Sequence, residues 1–232
     1  MKDLSAIYEH KKSDVAVFLG CGSSINKISK SQWRKINAFD TWTSNHFIYH
    51  PRVVPNFYHL ELKSSKTEWL KNWRQRKIDK GKAYKNVNFI VMRGRQYLLD
   101  AIGEHEHIYS YERKKGKCNP KDAIHPTIVT HNCNASFTLI LELLYRFKYN
   151  KVVLFGVDLH DSRYFWTGRP EYGKVHDNTN RGRRQDVLHT TAGKVQNFVI
   201  GFNKHKMKGR IFVGYKDTLL YPKLKFVDIM EI

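Results

Sequence analysis

Two glycine-containing turns, each directly after an apolar run, are the residues of this chain best suited to hold a phosphate group. The run Val15–Leu19 leads into Gly20-Cys21-Gly22-Ser23-Ser24, and Val152–Phe155 leads into Gly156-Val157-Asp158. In α/β proteins a buried strand that ends in a Gly-x-Gly turn and opens a helix can hold phosphate. The glycines allow close backbone approach, and the helix start offers free N–H groups. The two turns therefore indicate a nucleotide-handling α/β enzyme.

The first turn does not complete either of two common nucleotide-binding motifs. GxGxxG fails because Ile25 stands at its last position, and no GxxxxGK[ST] segment occurs. No acidic residue follows the second predicted strand at the place that would hold a dinucleotide ribose. These absences argue against a P-loop protein and against a nicotinamide-dependent dehydrogenase.

Polar residues also follow other predicted strands or begin predicted helices. Asn45 ends a strand over 40–44, and its amide could read a base or a sugar hydroxyl. Ser136, preceded by Asn134, begins a strongly apolar helix, which its hydroxyl could either cap or leave for a ligand. His189 precedes a helix over 190–207, whose positive end would lower the pKa of the imidazole and suit it to act as a general base.

The chain alternates strand-like and helix-like segments, which predicts a Rossmann-like α/β fold with a mainly parallel sheet flanked by helices. All 232 residues are expected to form one domain with a partly irregular lid, for which 94–126 and 160–188 are the candidate segments. The predicted strands are 15–19, 40–44, 57–62, 88–92, 151–155 and 210–214, and the predicted helices are 24–36, 66–80, 136–147 and 190–207.

The formal net charge is +20, from 41 basic and 21 acidic residues, which favours an anionic partner. A phosphorylated substrate and a peripheral contact with an anionic membrane both fit. Nucleic acid is not favoured, because the basic residues are spread along the whole chain, and a homo-oligomer stays open.

Three cysteines without CxxC spacing, Cys21, Cys118 and Cys133, suggest reduced thiols and a cytoplasmic protein. No apolar run approaches the ~20 residues of a transmembrane helix. The first residues lack the apolar core of a signal peptide. We therefore expect a cytoplasmic location, with the inner membrane face as the site of any peripheral contact.

A series of short motifs in a fixed order resembles the bacterial sialyltransferases of glycosyltransferase family 42. The chain is also similar to the related 6-hydroxymethylpterin pyrophosphokinase-like group. The motifs are Gly20-Cys21-Gly22-Ser23-Ser24-Ile25, Asp40 to Asn45, Ala135-Ser136-Phe137, Gly156-Val157-Asp158-Leu159-His160, Tyr164 and His189-Thr190. Cys21 stands where the family has Asn, and His160 where it has the first of two tyrosines.

The resemblance implies a variant of the GT-A arrangement and a metal-independent, inverting transfer of a sialic acid-like sugar from a CMP-sugar donor. The acceptor would be a glycan or glycolipid, as in lipopolysaccharide or capsule synthesis, with no cofactor. By analogy His189 deprotonates the acceptor, and Tyr164, with Tyr172, stabilises the phosphate leaving group. The residues that would line the nucleotide are Gly20, Cys21, Gly22, Ser23, Asn45, Asn134, Ser136, Gly156, Asp158 and His160.

Two other functions stay open at the level of sequence. A pyrophosphokinase-like phosphotransferase would need magnesium, for which Glu61 and Asp158 are the candidate carboxylates. A non-catalytic protein that binds nucleic acid or another anionic surface would rely on the positive charge alone.

Overall fold

A computed structural model describes residues 1–62, 67–125, 128–133, 135–160, 163–169 and 185–232, with the backbone alone for 67, 131 and 185–191. Its strands are β1 (Lys2–Asp3), β2 (Val15–Leu19), β3 (Asp40–Ser44), β4 (Phe57–Leu60), β5 (Asn88–Met92), β6 (Ile108–Lys115), β7 (Ile128–His131), β8 (Lys151–Phe155) and β9 (Ile211–Val213). Its α-helices are α1 (Lys30–Ile36), α2 (Thr67–Lys80), α3 (Gln96–Ile102), α4 (Ser136–Arg146) and α5 (Gln185–Phe202).

The strands form a mostly parallel sheet in the order β1-β6-β5-β4-β3-β2-β8-β9, with β7 added beside β6. From β2 the chain steps outward through β3, β4, β5 and β6, and it then returns to place β8 on the other side of β2. The strand order therefore reverses between β2 and β8. In open α/β sheets such a reversal opens a crevice at the carboxyl ends of the strands, where ligands bind.

Helices cover both faces of the sheet, which confirms the predicted Rossmann-like α/β class. Alternate residues of β2 point to opposite sides, so that Ala16 and Phe18 join one buried cluster while Val17 and Leu19 join the other. The first cluster includes the apolar residues of α4 and α5, and the second includes those of α1, α2 and α3. Burial on both faces explains why the central strands are continuous apolar runs.

The helix predicted over 24–36 is two separate pieces. A short 3-10 helix, Ser23–Lys27, follows the glycine turn, and α1 begins only at Lys30. Ser29 caps α1 in a capping box with Gln32, in which each side chain accepts a hydrogen bond from the other residue's backbone N–H. The prediction of one helix was wrong because Ser29 is a stronger helix start than Ser23 or Ser24.

The segment 94–126 is not the irregular lid that its composition suggested. It contains α3 and β6, and β6 pairs with β5 and β1 within the main sheet. The first half of β6 is buried and its second half is exposed, so the polar residues of this segment belong to a strand that runs beyond the body of the sheet. The second candidate lid, 160–188, lies largely outside the described residues.

The expectation of three reduced thiols is wrong for two of the cysteines. Cys118 and Cys133 form a disulfide with a Cα–Cα distance of 4.7 Å, and Cys21 is free. Their separation of 15 residues is no recognisable pairing signal, and they meet because the chain turns back after β6 to form β7. Disulfides persist chiefly in oxidising compartments, so the cysteines no longer support a cytoplasmic location. Within the described residues, no helix combines the length and apolar character that crossing a bilayer requires.

His50 is a buried polar residue whose ionisation is coupled to folding. Its ring packs against Trp33, Phe47 and Phe165 at centroid distances of 4.8, 5.1 and 5.3 Å. Burial lowers the pKa of this imidazole from 6.5 to about 3, and the nearby charge of Lys80 adds to the effect. His50 is therefore neutral in the folded protein at neutral pH.

We expect His50 to make the protein less stable as the pH falls. A histidine with a depressed folded-state pKa contributes its full stability above 6.5, and that contribution is lost as the pH falls toward about 3. The free energy of unfolding should therefore fall by up to about 1.4 kcal/mol per pH unit on account of this one group. Urea unfolding of the native protein and of His50→Gln at pH 4 to 7 measures it. Equal pH slopes for the two proteins would contradict the assignment.

Candidate functional site

The two glycine turns meet at the carboxyl ends of β2 and β8, where the strand order reverses. Gly20 N donates to Phe155 O at 2.8 Å, and Gly22 N donates to Gly156 O at 2.9 Å. The turns thus continue the pairing of β2 with β8 beyond the last residue of each strand. The structure places them side by side, as the parallel sheet predicts.

The polar residues that follow β3 and begin α4 lie at the same edge. Cys21 Sγ lies 3.9 Å from Ser44 O, and Asn45 Nδ2 donates to Ser136 Oγ at 3.5 Å. The four segments that the sequence places beyond strand ends are therefore in one region of the molecule.

Each glycine is needed because another part of the protein lies where its side chain would be. A Cβ on Gly20 would lie 2.3 Å from Gly156 O, and a Cβ on Gly156, whose φ is +67°, would lie 2.5 Å from Gly20 O. A Cβ on Gly22 would lie 2.5 Å from the Asp158 carboxylate. Real Cβ atoms do not approach other atoms so closely. The glycines therefore permit an approach of the two turns to each other, where the sequence suggested an approach to phosphate.

The Asp158 carboxylate binds the opening turn in the place where the sequence suggested a phosphate. Its carboxylate accepts from Ser24 N at 3.0 Å, from the Ser24 hydroxyl and from Ser23 Oγ at 3.5 Å, and the residue is 4% exposed. With Gly20 N and Gly22 N bonded to carbonyl groups, three N–H groups of the turn are used internally. The predicted phosphate cradle is wrong for these three groups, because β8 and Asp158 satisfy them.

Asn45 has an unusual backbone conformation at the carboxyl end of β3. Its φ is +51°, a region that Asn tolerates better than most residues. The carbonyl oxygen of its side chain accepts from Glu61 N at 2.8 Å, and its backbone oxygen accepts from Trp73 Nε1 at 2.9 Å and from the Tyr58 hydroxyl. The core thus fixes Asn45 on several sides, so that its amide is preorganised at the sheet edge.

Glu61 is the residue of this cluster whose role the leading sequence interpretation missed. Ser136 Oγ donates to Glu61 Oε2 at 2.6 Å, and Arg113 Nη1 lies 2.5 Å from Glu61 Oε1. The side chain is 15% exposed, so it is held in place and remains reachable from solvent. Its only sequence signal was an acidic residue near the end of the strand predicted over 57–62. Among the described residues, no three His, Cys, Asp or Glu side chains are gathered as metal ligands.

Ser136 does not cap the helix that it begins. It is the first residue of α4, and the N-cap residue, Ala135, has no polar side chain to offer. The Ser136 hydroxyl instead reaches Glu61 and Asn45. The positive end of the α4 dipole therefore lies beside the Asn45–Glu61–Ser136 cluster, where it stabilises the Glu61 carboxylate.

His160 lies at the rim of this region, where its surroundings favour the protonated form. Its Nδ1 lies 2.8 Å from Asp158 O and its Nε2 lies 2.9 Å from Asp217 Oδ1. Burial lowers its pKa, but the hydrogen bonds to Asp158 and Asp217 outweigh that effect and raise the pKa above 6.5. Asp217 also pairs with Lys27. Since both ring nitrogens face acceptor oxygens, the imidazolium form suits the geometry.

Tyr164 lies against the opening turn. It forms an isolated antiparallel bridge with Gly22, and Phe165 N donates to Cys21 O at 3.0 Å. Its ring stacks on Trp166 with centroids 4.4 Å apart and planes 10° apart.

The free Cys21 is not a thiolate here, since burial raises its pKa to about 12.

Three predicted site residues cannot be placed with their side chains. Asn134 and Tyr172 lie outside the described residues, and of His189 only the backbone is described. His189 lies inside α5, four residues after Gln185, where the sequence predicted a helix that starts after it. The positive end of this helix therefore does not lie directly at His189.

The likeness to family 42 rests on the order of short motifs. Comparison of the chain with protein-family models, with curated proteins and with solved structures gives no match. Gly22, Asn45, Ser136, Asp158 and Tyr164 all lie at the same edge of the sheet.

Replacing Gly22 tests the close approach of Asp158 directly. Gly22→Ala should lower the free energy of unfolding by about 1–3 kcal/mol, because the new methyl group collides with the carboxylate while the Gly22 backbone, with φ −67°, is unstrained for alanine. Urea unfolding measures the change. Gly193→Ala is the control, since no atom lies within 4 Å of its Cβ position inside α5, and it should be neutral or stabilising. A Gly22→Ala protein as stable as the native one would contradict the packing.

Proposed function

We propose that the protein is a metal-independent, inverting glycosyltransferase that moves a sialic acid-like sugar from a CMP-sugar to a hydroxyl of a glycan or glycolipid. The observation that carries the proposal is the Asn45–Glu61–Ser136 cluster beside the N-terminus of α4. It combines fixed donors and acceptors with a partial positive charge at the place where α/β sheets bind nucleotides.

The cluster has the groups that cytosine recognition needs. The cytosine exocyclic amino group is a donor, and a carboxylate such as that of Glu61 is its natural acceptor. Uracil has a carbonyl oxygen at that position, which a carboxylate repels. The Asn45 amide carries a second N–H beside the one that it donates to Ser136, and this N–H can donate to a base or ribose oxygen. Glu61 therefore favours a cytidine nucleotide over a uridine nucleotide.

The leaving phosphate needs positive charge or hydrogen-bond donors if no metal neutralises it. In this proposal the Tyr164 hydroxyl and the Tyr172 hydroxyl fill that role, and the protonated form of His160 adds to the local positive potential. The bond between the anomeric carbon and the phosphate oxygen breaks, and CMP keeps the electron pair. The acceptor oxygen attacks from the opposite face, and His189 takes its proton.

A magnesium-dependent phosphotransferase is the alternative, and it depends on Glu61 and Asp158. Asp158 is 4% exposed and its carboxylate is committed to the Ser23–Ser24 turn. This contact favours the transferase. Nucleotide turnover abolished by EDTA and restored by magnesium would instead support the phosphotransferase.

Nucleotide preference is the first test of the proposal. CMP should raise the melting temperature, because a ligand that binds only the folded state stabilises it, and UMP should raise it less. Glu61→Gln should remove most of the preference for CMP, since an amide can rotate to donate to uracil. Thermal unfolding with CMP, UMP, ATP and S-adenosylmethionine measures both. Equal shifts with CMP and UMP in the native protein would contradict the role of Glu61.

Turnover of the His189 variant tests the assignment of the base. His189→Ala should lower kcat by about two to four orders of magnitude, the usual contribution of a general base, while the CMP-induced melting shift is retained. His125→Ala, which changes an exposed histidine before β7, is the control and should leave kcat unchanged. Unchanged turnover in the His189 variant would reject this residue as the base.

A further inference from the structure

The C-terminal segment concentrates exposed apolar side chains next to lysines. Among the described residues, seven large hydrophobic side chains are exposed, and three of them, Leu219, Tyr221 and Phe226, lie within eight positions of one another. Lys216 Nζ lies 5.9 Å from the centroid of the Tyr221 ring and 5.1 Å from that of Phe226. We call the set Lys216, Leu219, Tyr221, Lys223, Lys225 and Phe226 the cationic-aromatic patch.

The patch is rigidly attached to the fold, so its apolar side chains are displayed by a fixed backbone. Leu220 and Leu224, which alternate with the exposed residues, are 0% and 1% exposed and belong to the core. Val213 N of β9 donates to Lys225 O at 3.0 Å, and Val227 N donates to Val213 O at 3.1 Å. Backbone pairing therefore holds Phe226 outward beside the last strand.

The charge of the patch is positive. Lys216, Lys223 and Lys225 are exposed, and no Asp or Glu occurs between residues 218 and 227. The nearest acid in sequence, Asp217, is paired with Lys27 and His160. Aromatic and leucine side chains interspersed with lysines are the composition of segments that lie at the interface of a bilayer, with the rings at headgroup level and the ammonium groups on anionic lipids.

We propose that the cationic-aromatic patch is a docking surface for a membrane leaflet that contains anionic lipids. Tyr221, Phe226 and Leu219 insert at headgroup level, and the three lysines contribute attraction to lipid phosphates. A protein partner fits the patch less well, because all of its charged residues are lysines and the patch is small. The overall charge of +20 supports the same choice of partner.

The patch is directly connected to the candidate site. Leu219 N donates to Asp158 O at 3.1 Å, and Thr218 Oγ1 donates to Val157 O at 2.7 Å. A docked molecule would therefore hold the carboxyl edge of the sheet close to the bilayer, within reach of substrates carried on lipid. The docking proposal stands on exposure and charge alone, so it can hold whether or not the proposed transferase activity does.

Vesicle flotation tests docking without any enzymatic readout. The full chain should float with vesicles of phosphatidylcholine containing about a third phosphatidylglycerol, should bind pure phosphatidylcholine at least about tenfold more weakly, and should be released by salt. Tyr221→Ser with Phe226→Ser, and separately Lys223→Glu with Lys225→Glu, should each weaken binding about tenfold or more. Circular dichroism checks that each variant is folded.

Matched controls separate the patch from general charge and general hydrophobicity. Val54→Ser with Ile78→Ser removes two other exposed apolar side chains, and Lys82→Glu with Lys85→Glu makes the same charge change in the exposed turn before β5. Both double variants should leave binding within about twofold. Equal losses from the two lysine pairs would overturn the proposal in favour of non-specific attraction. If the protein does not bind vesicles but forms a dimer that Phe226→Ser disrupts, the membrane proposal is overturned and the patch instead binds a second copy of the chain.

Discussion

The close approach of two backbone turns is the constraint on which the rest of this structure depends. Gly20 and Gly156 lie so near each other that neither could carry a Cβ, and Gly22 lies equally close to Asp158. The order in which the chain adds strands to the sheet reverses at this point, between the parallel strands β2 and β8. Because Asp158 accepts from the N–H of Ser24, this group of the opening turn is bonded within the protein. In the proposed function the nucleotide therefore binds at the neighbouring strand ends.

The neighbouring strand ends form a fixed polar cluster because the core restrains them. Trp73 and Tyr58, both fully buried, donate to the Asn45 backbone oxygen, and the Asn45 side chain in turn accepts from Glu61 N. The Cys118–Cys133 disulfide adds a second restraint. It joins the loop after β6 covalently to the turn before α4, and its sulfurs pack 3.9 and 3.6 Å from Lys194 O of helix α5.

Several elements could be predicted with accurate bounds because they are rich in apolar, aromatic or β-branched residues. The strands 15–19, 40–44, 88–92 and 151–155 are confirmed to the residue, and the helix at 136–147 is confirmed within one residue. The break between the 3-10 helix Ser23–Lys27 and α1, and the strand within 94–126, could not be predicted as well. Caps compete locally at helix starts, and β6 owes its existence to pairing with β5, which composition does not encode.

The sequence by itself determined the α/β class and which segments end at the carboxyl edge of the sheet. Continuous apolar runs mark strands that are buried on both faces, and these strands alternate with helical segments. Only the tertiary structure decided what those segments do to one another. The glycines admit backbone and carboxylate, Ser136 binds Glu61 instead of capping its helix, and two distant cysteines pair. Each of these outcomes depends on distances of a few ångströms between residues far apart in the chain, and such distances leave no local pattern.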